Sequence, residues 1–263
     1  MAYRDIIYTV EDYIATITLN RPETLNAFTE ALINEWADAI ETAKNDPQVR
    51  VLVVTGAGRG FCSGMDVREA AAQGEALPLY LRRNYLRIGV HKIPRGLENF
   101  DKPYIACING PAAGAGMDMA SMADIRIISD KARVGMTYIR MGLLPGDAGC
   151  YFLPRIVGIA RALELIWSGR MIDADEALRI GYVSQVVPHD RLLPATKEFC
   201  SQFVQAPVAT QFAKRLVWRG ADLFRNINLE MAEMSMLINL TTPDVKEGPK
   251  AWVEKREPKW TAE

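Results

Sequence analysis

Asn109-Gly-Pro-Ala-Ala-Gly-Ala-Gly-Met-Asp118 is a turn of small residues between an apolar run, Tyr104-Ile-Ala-Cys-Ile108, and a helix-like stretch over 114–121. Strand, bare turn and helix in succession are the unit from which an α/β fold is built. About fifty positions earlier the pattern recurs, with Val51-Leu-Val-Val54 running into Gly60-Phe-Cys-Ser-Gly-Met-Asp66. Small residues let a backbone come close to a ligand. A helix start leaves N–H groups unpaired and carries partial positive charge. Two such turns facing one another would offer two N–H donors to one oxygen, an oxyanion hole made of main chain alone.

Outward from these turns, Ile6-Ile-Tyr-Thr-Val10 and Ile14-Ala-Thr-Ile-Thr-Leu19 read as paired strands across a short acidic turn. After the breaker Asn20-Arg-Pro-Glu23, Thr29 is placed to cap a helix with the apolar stripe Leu32, Ile33, Trp36, Ile40 and Ala43, ended by Asn45-Asp-Pro47. Residues 67–100 are polar, with helical fragments over 79–88. A third strand is expected at Asp124-Ile-Arg-Ile-Ile128, an irregular loop over 143–149, and helices over 158–167, 173–180 and 190–203. From Val208 the pattern is helical almost to the end, broken at Pro243 and at Gly248-Pro249, with no strand signal after 190. That tail cannot bury its apolar stripes alone. Met231, Met234, Met236, Leu237 and Ile238 are expected to pack on the main domain or on a neighbouring subunit, as plain core in preference to a ligand site.

Composition narrows the function classes. The chain has 263 residues, 49% apolar and 24% charged, with a formal net charge of −1. Near-neutral charge without a Lys/Arg run argues against a nucleic-acid partner. The cysteines Cys62, Cys107, Cys150 and Cys200 are scattered, with no CxxC, and His91 and His189 are too few and too separated for a metal site. No metal is therefore expected, and free thiols in a reducing compartment are. Neither a signal-peptide pattern nor a membrane-length apolar run is present, so the expected location is cytoplasmic, with no membrane partner. Gly56-Ala-Gly-Arg-Gly60 follows a strand but fails the dinucleotide-loop spacing at Phe61, and no GxSxG elbow or P-loop occurs.

Seven segments in order resemble one family. They are Asn20-Arg-Pro-Glu-Thr-Leu-Asn-Ala27, Phe61-Cys-Ser-Gly-Met-Asp66, Asn109-Gly-Pro-Ala-Ala-Gly-Ala-Gly116, Asp124-Ile-Arg-Ile127, Gly142-Leu-Leu-Pro-Gly146, Leu153-Pro-Arg-Ile-Val-Gly158 and Glu254-Lys-Arg256. Each is weak alone. Together they resemble the enoyl-CoA hydratase/isomerase (crotonase) superfamily across nearly the whole chain. The resemblance implies an α/β fold, a spiral of β-β-α repeats, with an acyl-CoA-binding catalytic core at 1–190 and a C-terminal helical trimerisation region at 191–263. It also implies a trimer or a pair of trimers, an acyl-CoA thioester substrate, and no cofactor beyond the coenzyme A of that substrate. Carried over by position, the oxyanion donors would be the backbone N–H groups of Met65 and Ala115.

The chemistry needs more than amides. Removing the α-proton of a thioester puts charge on its oxygen, and a base must reach the carbon or a water. The two glutamates of the family's hydratases align with Asp118, shorter by one methylene or roughly 1.5 Å, and with Tyr138, whose phenol near pKa ~10 is a poor base. Asp147, in Leu144-Pro-Gly-Asp-Ala-Gly149, lies on a loop that lines the same pocket in the family. An Asp118/Asp147 pair could share the proton work if their environments push their pKa values apart. Against this stand a helix-start role for Asp118 and a turn role for Asp147. Asp66 fits better as a loop anchor. Gly114, Met136 and Tyr138, with Thr137, would line the substrate pocket, and the missing glutamate hints at a bulkier, branched or cyclic acyl group. Arg68, Lys92, Lys255 and Arg256 are candidates for CoA phosphates, or solvated surface charge; His91 has a minor substrate-side reading. The leading expectation is an enoyl-CoA hydratase. The alternatives are a double-bond isomerase, a hydrolase or dehalogenase with Asp147 as nucleophile, and a non-catalytic acyl-CoA-binding subunit.

Overall fold

The computed structural model describes residues 3–66, 84 and 86–261. Arg68 and most of the helical fragments expected over 79–88 lie outside the described residues. The chain forms two compact units, Met1–Phe100 with Tyr104–Lys197, and Asp101–Pro103 with Glu198–Glu263.

The first unit is built on a six-stranded sheet. Its strands are β1 (Ile6–Glu11), β2 (Ile14–Leu19), β3 (Val51–Gly56), β4 (Tyr104–Ile108), β6 (Ile125–Ser129) and β9 (Gln185–Val187), in the order β1-β2-β3-β4-β6-β9. Only β1–β2 is antiparallel; the other pairs are parallel. Every residue of β3 and β4 is buried, as expected for parallel strands covered on both faces. A second sheet pairs β5 (Ala112–Ala113), β7 (Arg133–Gly135) and β8 (Ile172–Asp173) in the order β5-β7-β8. Helix α1 (Glu30–Asn45) starts at Thr29, whose hydroxyl accepts from Leu32 N–H at 3.1 Å, and its predicted stripe is buried with Ala39 added. Among the described residues this unit also holds α2 (Lys92–Glu98), α3 (Ala115–Ser121), α4 (Gly149–Val157), α5 (Ile159–Ser168) and α6 (Ala174–Arg179); α7 (Leu192–Val204) spans the division at 197.

Two expectations change in this unit. The third strand starts one residue late because the Asp124 carboxylate turns back to accept Tyr104 N–H at 2.8 Å. The loop over 143–149 ends in helix, since Gly149 opens α4. The short strands β5, β7, β8 and β9 are two or three residues long, too short to show a period.

The second unit holds the end of α7 with α8 (Ala209–Gly220), α9 (Arg225–Asn239) and α10 (Asp244–Glu254). The break expected at Gly248-Pro249 does not occur, and Pro249 sits inside α10. Anchors on both sides hold the helix through the missing N–H. Buried Asp244 accepts from Val208 N–H at 3.0 Å and Thr261 N–H at 2.7 Å, while Ala251 is buried and Arg256 pairs with Glu247. The methionine stripe is not plain core: α9 buries no residue, and Met234, Met236, Leu237 and Ile238 are exposed.

Candidate active site

Strands β3 and β4 are parallel neighbours in register Val54↔Ala106, so the turns that follow them leave the same edge of the sheet side by side. The carboxyl edge of a parallel sheet is where α/β folds place their ligands. A parallel bridge from Cys62 to Ala112 continues the contact between the turns, and another ties Met65 to Phe28. The turns touch through missing side chains. A Cβ on Gly116 would stand 2.0 Å from the Cys62 carbonyl oxygen, and one on Gly110 2.1 Å from the Arg59 carbonyl oxygen. Gly64, at φ +89°, would place a Cβ 3.3 Å from the Ala115 nitrogen.

This packing leaves two amides unused. Phe28 N–H donates to Gly64 O at 2.7 Å and Asp66 N–H to Phe28 O at 3.3 Å, so the Met65 amide between them faces away from that bridge. Ala115 is the first residue of α3, where an N–H has no intrahelical acceptor. Among the described residues neither amide donates a main-chain hydrogen bond. Both belong to turns packed against one another.

Asp118 lies one turn into α3, fully buried. Asp147 enters from the loop before α4 and is 4% exposed. The Tyr138 hydroxyl, from the 3-10 turn Thr137–Met141, stands between them, 2.6 Å from Asp118 Oδ2 and 2.9 Å from Asp147 Oδ2. Burial pushes the Asp118 carboxyl up to about 8, against the Tyr138 hydroxyl and with the help of the Asp147 charge. Burial also raises Asp147, while the Tyr138 hydroxyl and the His91 charge oppose the shift. Burial and the two carboxylates hold the Tyr138 phenol far above its usual range, so it stays a neutral hydroxyl. A hydroxyl has one proton and can donate to one carboxylate only. With both aspartates ionised, its lone pairs would face the second charge across 2.9 Å or less. The stable arrangement keeps one carboxyl protonated. The outer oxygens Asp118 Oδ1 and Asp147 Oδ1 are buried with no hydrogen bond of good geometry among the described residues, the Asp147 and Gly149 amides lying near the Asp118 carboxyl.

The surroundings are shaped to this pair. Gly149 opens α4 so close that a Cβ would stand 1.9 Å from Asp118 Oδ1. His91 Nε2 lies 2.8 Å from Gly146 O, so His91 anchors the loop that carries Asp147. Met136 is buried, and Gly114, at φ +53°, leaves room beside Thr137 Oγ1 and the Tyr138 ring, 3.3 and 3.9 Å from where its Cβ would be. Asp66 sits 3.6 Å from the Arg21 guanidinium. Lys92 is hydrogen-bonded to Asn34, Arg256 is committed to Glu247 and Glu254, and Lys255 adopts a left-handed cap at φ 52°.

Two asparagines that sequence reading passed over hold the first turn. Buried Asn26, itself at φ 57°, places Nδ2 within 3.0, 2.8 and 3.2 Å of the Ala57, Gly60 and Phe61 carbonyls. Asn109 accepts from Gly56 N–H at 3.1 Å and donates to Gly58 O at 3.0 Å. The available signal was the placement of each Asn beside a breaker, where amide side chains satisfy irregular backbone.

The family model described as enoyl-CoA hydratase/isomerase matches residues 9–263. The chain belongs to the enoyl-CoA hydratase/isomerase family. It is 34% identical to a crotonyl-CoA hydratase of Syntrophomonas wolfei over 260 residues, 97% of each chain. Identity to an (E)-benzylidenesuccinyl-CoA hydratase of Thauera aromatica is also 34%, over 95% of this chain and 96% of that one. The crystal structure of an enoyl-CoA hydratase from Bacillus anthracis matches with a TM-score of 0.90 at 30% identity, covering 99% of this chain and 100% of that one. The fold is thus the crotonase-type α/β spiral, and the chain is an enzyme of the hydratase/isomerase type.

Proposed function

We propose that this enzyme binds an acyl-CoA thioester with the thioester oxygen on the Met65 and Ala115 amides, and that Asp118 and Asp147 move the protons. The observation that supports this reading is two buried carboxylates sharing one tyrosine hydroxyl, together with two amides on interlocked turns that donate no main-chain hydrogen bond among the described residues. The charge that develops on the oxygen meets donors already aimed at it, and the pair supplies an acid and a base at once. Adding water to a 2-enoyl-CoA uses both, and the names of the relatives favour that direction. The single shared proton also supports a second reading, double-bond isomerisation, in which one proton leaves one carbon and returns at another. Nucleophilic attack by Asp147 is less favoured, because its Oδ2 is engaged with Tyr138 in a buried site. The proposed steps use the amides and carboxyls of this chain and the coenzyme A of the substrate. Among the described residues no three His, Cys, Asp or Glu side chains are grouped to hold a metal, and no helix is long and apolar enough to cross a membrane.

A panel of acyl-CoAs assayed for both reactions tests the assignment. Replacing a glutamate by Tyr138 beside Met136 and Gly114 leads us to expect turnover of a branched or cyclic enoyl-CoA faster than of crotonyl-CoA. A strong preference for crotonyl-CoA would remove the bulky-substrate reading, and absence of any turnover would remove the enzymatic one.

The exposed apolar residues of the C-terminal region, Phe224, Met234, Leu237, Trp252 and Val253, support an oligomerisation role for 191–263. Light scattering is expected to return three or six chains per particle; a monomer at micromolar concentration would contradict it.

A further inference from the structure

We infer that Tyr138 is a proton-relaying residue that returns a proton between Asp118 and Asp147 after each turnover. This inference rests on the acid/base reading above and deepens it. Its basis is geometric: one hydroxyl lies within 2.6 and 2.9 Å of two buried carboxylates.

An acid that gives its proton to carbon and a base that takes one from water end a turnover with their charge states exchanged. Before the next substrate they must exchange back. In the buried site the short path runs through the phenol. The O–H bond of the protonated carboxyl breaks as its proton passes to the Tyr138 oxygen, and the Tyr138 O–H bond breaks as its own proton passes to the other carboxylate. One carboxyl, one carboxylate and one neutral phenol stand before and after, and no tyrosinate forms. The positions of the hydrogen-bonded atoms need not change. A carboxylate at 138 would be a third acid in the site; a phenol is a conduit, donating to one oxygen while accepting from the next.

The charged and titratable groups facing the pair are few among the described residues. His91 acts on Asp147 from the start of α2 and holds its loop through Gly146. Cys62 of the first turn senses Asp147, and Cys150 of α4 and buried Tyr182 sense Asp118. None of these bridges the two carboxylates; Tyr138 does.

The test uses the full chain and Tyr138→Phe, with two readouts. Infrared titration of the substrate-free protein is expected to show one protonated carboxylic acid per chain at neutral pH, absent in Asp118→Asn and released at higher pH in Tyr138→Phe, where a carboxylate has lost its donor. Rapid-quench assay with the best acyl-CoA of the panel is expected to show a first turnover in Tyr138→Phe within a few-fold of the parent, followed by steady state slowed by about tenfold or more. A side chain that only props the site would depress both phases together, and that result would overturn the relay, as would two ionised carboxylates at neutral pH in the parent. If Tyr138→Phe does not fold, 3-fluorotyrosine at 138 keeps the shape and makes the phenol more acidic; an unchanged infrared titration and steady-state rate would then refute the relay. If the parent turns over no acyl-CoA, the functional reading fails by itself, and the infrared titration still decides whether the phenol and the pair share a proton.

Discussion

Asp118→Asn is expected to lower kcat/KM by about a thousandfold while leaving the chain folded, as befits loss of a general acid/base group. The substitution is nearly isosteric, and the Tyr138 hydroxyl can still donate to Asp147. Its effect on stability has a definite sign. The folded chain holds the Asp118 proton up to about pH 8, whereas an ordinary aspartate releases it near 3.8. Between those values the folded state binds more protons than the unfolded one, so stability falls as pH rises from about 4 to about 8. Below that window the contribution is constant. Asparagine has no proton to lose, so the variant should gain on the parent across the window, by about a few kcal/mol at its upper end. The aspartates titrate as a pair, so the window belongs to both. Thermal melts of both proteins at steps between pH 5 and 8 check this. A melting temperature of the variant minus that of the parent that stays flat or falls as pH rises would contradict a carboxyl kept protonated by burial. The same shift sets the basic limb of the activity profile, where kcat/KM of the parent should decline above about pH 8 as the shared proton is lost.

Gly116→Ala is expected to cost a few kcal/mol of stability and at least about a hundredfold in kcat/KM. The added carbon would meet the Cys62 carbonyl oxygen at 2.0 Å and its carbonyl carbon at 2.8 Å, backbone atoms that cannot rotate aside. Cys62 O also accepts Ala113 N–H at 3.0 Å, so the contact opposed by the new methyl is the one that holds the turns together. Relief comes only by parting 62–65 from 113–116, which separates the Met65 and Ala115 amides. Loss of one oxyanion donor costs about 10²–10³ in rate. Gly96→Ala is the control, since among the described residues its Cβ would meet Ile40 Cγ2 at 3.5 Å and Ile40 Cβ at 4.0 Å, ordinary contacts. It should be within about 1 kcal/mol of the parent and fully active. Equal kcat/KM in the parent and Gly116→Ala would show that the spacing of the turns does not govern the reaction.

The long elements were legible because each carries its cause locally. Thr29 caps α1, the Leu32–Trp36–Ile40 stripe repeats at helical spacing, and the buried runs of β3 and β4 each lead into a small-residue turn. The contact between those turns was legible too, since glycine at 110 and 116 has meaning only where another backbone comes close. What escaped depends on distant partners. The role of Tyr138 as a bridge needs Asp118 and Asp147, twenty and nine positions away, brought to either side of one oxygen. Asn26 reaches carbonyls more than thirty residues on. Pro249 looked like a stop because the anchors at Asp244 and Glu247 that carry α10 past it are tertiary. The methionines of α9 gave a true apolar stripe, but periodicity does not say whether a stripe faces the chain's own core.

Exchange of the α-protons of a saturated acyl-CoA, such as butyryl-CoA, for solvent deuterium is the most direct measurement, because it isolates enolate formation from the later fate of the substrate. Followed by proton NMR, the parent enzyme should exchange label at the α-carbon, and Asp118→Asn and Gly116→Ala should each slow that exchange by about a hundredfold or more. Binding of the thioester by the parent with no exchange, or exchange that persists undiminished in both variants, would contradict the assignment of the amide pair and the aspartates to this chemistry.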